Sequence, residues 1–375
     1  MRGVEGSLHR VALPLVHRFQ TSSHAKSHLE HILVRLVDES GAVGWGEIAS
    51  PSGPFYSPET VDTCWLIGHR YLLPGVVGRR WDHPAKAVQA WAKVRGHQFA
   101  KAGVDMAVWA LWTAVTEAPL ARALGGTRDA VVAGVSLGIE PTIDNLVEQV
   151  SDQVKAGYPR VKLKIAPGWD IEPVRAVRAA FPDLDVHVDA NGAYGGSDDD
   201  LATLRSLDQF GLTMIEQPFA PRDLISHRTL SEAAETPVCL DESVETIDDL
   251  RTAIWLHAGQ ILNIKVSRMG GLTAAVAAHD VASDAGWPVW CGGMHEFGIG
   301  RAANIALSSL PGFALPSDVS ASAKYYARDV ITPPVVADHG VVQVPTGPSL
   351  GHEVDVTFIA ENTTDEFILR DGEVR

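Results

Sequence analysis

The chain has 375 residues, 46% hydrophobic and 21% charged, with 34 Gly and 22 Pro; this is a soluble globular composition sized for two domains or one large barrel with additions, not a stapled miniature fold or a disordered chain. With 31 basic and 46 acidic residues the formal charge is −15, which disfavours nucleic acid, because phosphate binding draws its affinity from clustered Lys and Arg. Cys64, Cys239 and Cys291 offer neither a disulfide framework nor zinc spacing, so a reducing, cytoplasmic compartment is expected, and neither a signal-peptide core nor a membrane span is read in the chain.

Residues 31–37 are β-rich, Glu39-Ser40-Gly41 supply turn chemistry, and 42–47 resume an extended pattern, which predicts a hairpin. After Pro58 the pattern turns helical. Val104, Val108, Leu111, Trp112 and Val115 recur at three- and four-residue spacing and mark one apolar helix face, so 57–115 is expected to be mostly helix. From about Val131 short apolar runs alternate with amphipathic segments, as in βα units. Strands are predicted at 131–138, 160–165, 185–189, 213–216, 237–241, 261–265, 288–291 and, briefly, 313–315. Helices are predicted between them at 171–181, 199–210, 246–257 and 272–285. Only a parallel sheet needs such crossovers.

Five of these strands end in an ionisable residue: Lys164, Asp189, Glu216, Asp241 and Lys265, separated by 25, 27, 25 and 24 residues. One βα unit per step places them at equivalent C-terminal ends of successive strands. In a closed barrel those ends converge on one mouth, where barrel active sites are built; an open sheet would spread them by about 4.8 Å per strand. Convergence favours the barrel, and the regular spacing argues against ordinary solvent-facing charges. Side chains alternate along a strand, so Lys162 and Lys164 share the inner face, with His187, Met214, Cys239 and Asn263 one layer beneath Asp189, Glu216, Asp241 and Lys265. Three carboxylates at one mouth repel unless a cation lies between them, and an all-oxygen donor set suits Mg2+ or Mn2+ better than zinc. Lys164 and Lys265 stand on either side in strand order. Neighbouring cations, Lys162 beside Lys164 and Arg268 beside Lys265, are expected to lower their pKa values. This equipment suits removal of a proton α to a carboxylate, a metal stabilising the enediolate while a lysine takes the proton.

The runs Val161-Lys162-Leu163-Lys164-Ile165, Asp189-Ala190-Asn191, Ile215-Glu216-Gln217-Pro218, Leu240-Asp241-Glu242-Ser243 and Asn263-Ile264-Lys265 resemble the muconate-lactonizing subgroup of the enolase superfamily. Trp290-Cys291-Gly292-Gly293-Met294 and Gly298-Ile299-Gly300-Arg301 are similar, more closely, to the o-succinylbenzoate synthase and N-succinylamino acid racemase family. Gly53-Pro54-Phe55-Tyr56-Ser57 matches that family's capping domain and 345–351 its tail. The resemblance covers essentially the whole chain. It implies an α/β architecture: a modified (β/α)7β TIM barrel over 129–321, and an α+β capping domain over 1–128 completed by the tail, 322–375.

The same resemblance implies Mg2+ on Asp189, Glu216 and Asp241, with Lys164 and Lys265 as the acid/base pair and Lys162 supporting Lys164. A small carboxylate substrate and a homo-oligomer are expected. The implied reaction is o-succinylbenzoate synthesis: Lys164 removes the α-proton of a cyclohexadiene carboxylate and then protonates the leaving hydroxyl, while Lys265 contributes as a cation. N-acylamino acid racemisation, each lysine serving one enantiomer, needs the same residues. Cycloisomerase and dipeptide-epimerase chemistry are more distant alternatives, and a barrel that only binds would be free to lose lysines that this chain keeps. Asn191, Arg268, Tyr56, Ser23 and His24 are expected to meet substrate, as are Gly293 and Met294. His295 and Phe297 stand where the family has an apolar and a small hydroxyl residue, and are assigned to the lid or pocket wall.

Other residues have plainer readings. His187 sits one layer too deep for a ligand and is read as a core histidine; His17, His24, His28 and His31 are read as surface histidines, His24 being the one nearest substrate. Cys291 lacks a His partner and is assigned to packing. Gly298-x-Gly300 could hold a carboxylate on backbone N–H groups or simply open a helix. Asp198-Asp199-Asp200 reads as a solvated helix start.

Overall fold

The computed structural model describes residues 1–20 and 25–373, so Ser23 and His24 lie outside the described residues. An antiparallel sheet comes first, built of β1 (Gly3–Gln20), β2 (Ala25–Asp38) and β3 (Val43–Ile48), with Thr363–Arg370 from the far end of the chain added beside β1. The predicted hairpin is β2–β3, in which Leu36 faces Gly44. No bounds were predicted for β1, whose apolar residues are interrupted by Glu5, His9 and Arg10. Those residues find partners instead of water: Arg10 lies 2.7 Å from both Glu30 and Asp62. Alternation divides the sheet's two faces. Leu8, Ile32, Val34 and Leu36 pack on one side with Val104, Val108 and Leu111, while Val11, Leu13, Leu29 and Leu33 enter the larger core on the other.

The expected helical stretch is broken into pieces, of which α1 (Val61–Ile67) and α2 (Gln98–Val115) matter here. Helix α2 lies flat on β3 because Gly44 and Gly46 leave room for it; a Cβ on Gly46 would fall 2.0 Å from the Gly103 carbonyl oxygen.

Seven parallel strands follow, each paired with the next: β4 (Val135–Leu137), β5 (Arg160–Lys164), β6 (Asp185–Asp189), β7 (Ile215–Glu216), β8 (Val238–Leu240), β9 (Ile261–Ile264) and β10 (Val289–Cys291). The crossovers are α3 (Ile143–Lys155), α4 (Ile171–Ala180), α5 (Asp198–Ser206), α6 (Leu224–Ala233), α7 (Ile247–Leu256) and α8 (Leu272–Asp284), with α9 (Gly298–Ser308) after β10. Two strand predictions need correction. Of residues 131–138, Ala130–Val132 pairs antiparallel with Val341–Gln343, and only β4 joins the parallel sheet. Residues 313–315 form no strand, the N–H groups of Phe313 and Ala314 being spent locally on the carbonyls of Leu310 and Gly312. Phe313 instead bridges Val289, and Ser317 bridges Ala133, so this segment spans the two edges of the sheet. Among the described residues no helix is long and apolar enough to cross a membrane.

Candidate active site

The sheet's register brings the charged strand ends together. Lys164 pairs with Asp189, and Asp189 with Glu216; Asp241 and Lys265 directly follow β8 and β9. Lys164 Nζ donates to Asp189 Oδ2 and to Asn191 Oδ1, each at 2.5 Å. Lys265 Nζ donates to Asp241 Oδ2 at 2.8 Å and to the Tyr56 hydroxyl at 2.9 Å. The two amines therefore engage different carboxylates on either side of Glu216 in sheet order. Lys162 lies beneath, 3.1 Å from Glu216 and 3.4 Å from Asp189, with its Nζ 4.7 Å from the centre of the Trp290 ring. Below that, Met214, Cys239, Ile261 and Trp290 form a small apolar floor.

Burial and pairing set the charges. Burial opposes ionisation of Asp189, yet Lys164 and Lys162 outweigh it and hold the carboxyl below its usual range. Asp241 is held low in the same way by Arg268 and Lys265. Glu216 moves the other way: burial, then the charge of Asp189, push it up. Lys265 corrects an expectation. Burial and Arg268 do act to lower it, but Asp241 and Tyr56 prevail and the amine is held well above its ordinary value. Lys162 is likewise raised, since Asp318, Glu216 and Asp189 overcome its burial.

With lysines and Arg268 occupying the carboxylate oxygens, no group of three or more His, Cys, Asp or Glu side chains among the described residues is arranged to share a metal ion. Two buried acceptors nevertheless remain without hydrogen bonds, Asp241 Oδ1 and Glu242 Oε2. The former touches Arg268 as an ion pair, in a geometry that makes no hydrogen bond.

The residues expected to meet substrate divide into groups. Asn191 bridges Lys164 and Glu242, its Nδ2 donating to Glu242 Oε1 at 2.9 Å. Arg268 is buried and donates to Tyr56 at 3.3 Å. Tyr56 and Met294 both pack against the apolar cluster of the N-terminal sheet. Met294 N–H donates to Glu296 Oε1 at 2.9 Å, and a Cβ on Gly293 would meet Asp318 and Glu296. His295 has a left-handed φ of 60° and its ring lies 4.9 Å from Tyr325. Phe297, expected on the pocket wall, has no exposed surface; its ring packs 4.6 Å from His31 and 5.2 Å from Tyr326. Ser23 and His24 are not among the described residues.

His31 is not a surface histidine. It is 1% exposed, with Nδ1 2.6 Å from Glu47 Oε1, whereas His17 and His28 are exposed. His187 is buried, and burial pushes its pKa well below the usual value. Cys291 is buried, and burial raises its thiol. The Gly298-x-Gly300 turn does hold carboxylates, but they are the protein's own: Gly298 N–H donates to Asp329 and Gly300 N–H to Glu47, each at 2.7 Å.

Sequence reasoning missed Asp318, which lies 3.2 Å from Lys162 and 2.9 Å from Arg160. No spacing could have found it, because it sits on a segment outside the strand repeat. Glu242 was within reach as the neighbour of Asp241; Asn263, placed beneath Lys265, proves to donate to Glu216 Oε1 at 2.7 Å.

Comparison with known proteins adds to this geometry. Residues 145–358 match the enolase C-terminal domain-like family, and residues 7–125 match the mandelate racemase / muconate lactonizing enzyme N-terminal domain. An o-succinylbenzoate synthase of Geobacillus kaustophilus is 45% identical over 348 residues, 93% of this chain and 92% of that protein. An N-succinylamino acid racemase of Amycolatopsis sp is 46% identical over 365 residues, 97% of this chain and 98% of that protein. A solved enolase-superfamily structure from Listeria innocua superposes with a TM-score of 0.95 at 34% identity, covering 99% of each chain.

Proposed function

Since the chain belongs to the enolase superfamily and is an enzyme of that group, we propose that it abstracts the proton α to a carboxylate, most specifically as an o-succinylbenzoate synthase. The observation that carries this reading is the placement of the two amines, Lys164 on Asp189 and Lys265 on Asp241, on either side of Glu216. Lys164 Nζ donates to Asp189 and Asn191, which fixes the amine at the strand ends where it would take the α-proton. Lys265 is held protonated between Asp241 and Tyr56, and serves as a fixed cation beside the developing negative charge. That division suits a dehydration in which Lys164 takes the α-proton and returns it to the leaving hydroxyl on the same face. Asn191 aims Lys164, Lys162 keeps Asp189 and Glu216 ionisable at close quarters, and the Trp290 floor excludes water from below.

Asp189, Glu216 and Asp241 would hold Mg2+, or Mn2+ in its place, since they are buried, all-oxygen donors on adjacent strands and Asp241 keeps an acceptor without a hydrogen bond. When bound, the cation would supply charge stabilisation at the substrate carboxylate. The architecture read with this chemistry is a (β/α)7β barrel over 129–321 capped by 1–128 and the tail, 322–375. The bridges of Phe313 and Ser317 and the return of Thr363–Arg370 to β1 support it. A cytoplasmic homo-oligomer acting on a small carboxylate completes the reading, and the free thiols suit a reducing compartment.

N-succinylamino acid racemisation is the second reading, favoured by the 46% identical relative of that name. With Mg2+ present, loss of the diene absorbance of the cyclohexadiene carboxylate reports the synthase, and deuterium uptake at Cα of an N-succinylamino acid reports the racemase. Lys164→Ala should lower either rate by roughly 10²–10⁴-fold. If the unmodified protein neither consumes the diene nor exchanges any α-proton, the proposal fails.

A further inference from the structure

Five helices of the parallel sheet are capped by the residue before them: Thr142, Asp170, Ser197, Asp223 and Thr246 each accept from a backbone N–H of their own first turn. Helices α8 and α9 break this pattern, for Gly271 and Phe297 give them no side-chain cap. Their first N–H groups are satisfied from elsewhere, as buried donors must be. Asp105 on α2 reaches across to α8, where Oδ2 accepts from Thr273 N–H at 2.9 Å and Oδ1 from the Thr273 hydroxyl at 2.8 Å. Trp109, one turn along α2, donates to the same hydroxyl at 2.8 Å. Glu47 on β3 reaches α9, accepting from Phe297 N–H and Gly300 N–H at 2.7 Å each. Helix α8 is thus held by the N-terminal part of the chain, and α9 by Glu47 together with Asp329 of the C-terminal part.

The grip on α8 falls beside the chemistry. Lys265 to Gly271 is a continuous hydrogen-bonded turn, in which Met269 N–H donates to the Lys265 carbonyl and Gly271 N–H to that of Val266, each at 3.0 Å. Arg268 projects from this turn onto Asp241 and Tyr56. Gly271 has φ 124° and ψ 179°, a region open only to glycine, and a Cβ there would lie 2.4 Å from Asp105 Oδ2. A Ser or Asp at 271 would cap α8 locally; glycine admits a cap from another part of the molecule. The same N-terminal part presents Tyr56 to Lys265 and Arg268 from the other side, so the turn is held at two points.

We propose that Asp105 is a positioning residue: through Thr273 and the 265–271 turn it fixes where Lys265 and Arg268 stand relative to Asp241 and Tyr56. This rests on the reading of Lys265 as part of the reacting site. A displacement of about 1 Å at such a group lowers turnover by roughly 10²-fold.

The Mg2+-loaded full chain serves as the test, with loss of the diene or, for a racemase, deuterium uptake by an N-succinylamino acid as the rate, and amide hydrogen exchange as a readout independent of turnover. Asp105→Ala should lower kcat by about 10–10²-fold with KM little changed. Asp105→Asn, which keeps one acceptor, should restore most of the loss. In Asp105→Ala the amides of 266–271 should exchange faster together with Thr273. Thr273→Val, which keeps the N–H and removes only the hydroxyl, stands in if Asp105→Ala does not fold. Unchanged kcat, or faster exchange confined to Thr273 while 266–271 keeps its protection, overturns the proposal. If the unmodified enzyme neither consumes the diene nor exchanges an α-proton, the functional reading fails, and protection of 266–271 alone decides whether Asp105 positions the turn.

Discussion

Asp318→Asn removes one negative charge from beneath the site and leaves two cations in place. Asp318 Oδ1 is 2.9 Å from Arg160, and Oδ2 is 3.2 Å from Lys162 and accepts from the Ser136 hydroxyl at 2.9 Å. The side chains of Arg160 and Lys162 are only 1% and 4% exposed, so neither can turn to water. Breaking a buried pair this way costs about 3–5 kcal/mol. With an unfolding entropy of roughly 2.1 cal/mol/K per residue, a chain of this length should melt about 4–6 °C lower. The effect also has a pH signature. Burial disfavours the Asp318 charge, but Lys162 and Arg160 outweigh it and hold the carboxyl far below its ordinary range. Its contribution is therefore complete above the unfolded value of about 3.9 and is lost as pH falls toward the folded value. Thermal unfolding of both proteins at pH 7 and near pH 3 checks this: the gap should be widest at pH 7 and smaller by about 1 kcal/mol near pH 3. Equal midpoints at pH 7, or a gap that does not shrink in acid, would refute the reasoning.

Gly46→Ala would force a methyl group to within 2.0 Å of the Gly103 carbonyl, where neither backbone can yield cheaply, so urea unfolding should show a loss of about 3 kcal/mol or more; a variant within about 1 kcal/mol of the parent would contradict the packing of α2 on β3. Asp105 is pushed up to about 6 by burial, against the hydrogen bonds from Thr273. The folded state thus binds a proton that the unfolded chain releases near pH 4, and stability should fall by roughly 3 kcal/mol between about pH 4 and 6. Asp105→Asn should remove that slope, and equal slopes in the two proteins would count against it. Dialysis against a chelator should abolish turnover and Mg2+ should restore it, with the melting midpoint rising as Mg2+ is added; full activity after chelation would exclude the proposed role of the three carboxylates.

The positions of Lys164, Asp189, Glu216, Asp241 and Lys265 at consecutive strand ends were legible because a βα unit is a local repeat: its length and apolar pattern are carried by adjacent residues. The hairpin of β2 and β3 and the apolar face of α2 were legible for the same reason. The bounds of β1 were not, since Glu5, His9 and Arg10 interrupt its apolar pattern and Arg10 finds its partners only when Glu30 and Asp62 are brought beside it. Phe297 read as a pocket residue from its place in a motif, and His31 as a surface one from its polarity. Both became core when the N-terminal sheet closed over α9 and set Glu47 between them. Asp318 beside Lys162, and Asp105 beside Thr273, join residues far apart in the chain. Pairings at that separation leave no periodic trace in the sequence. They are selected only when whole elements pack and every buried donor and charge must find a partner among the groups that the packing brings within reach.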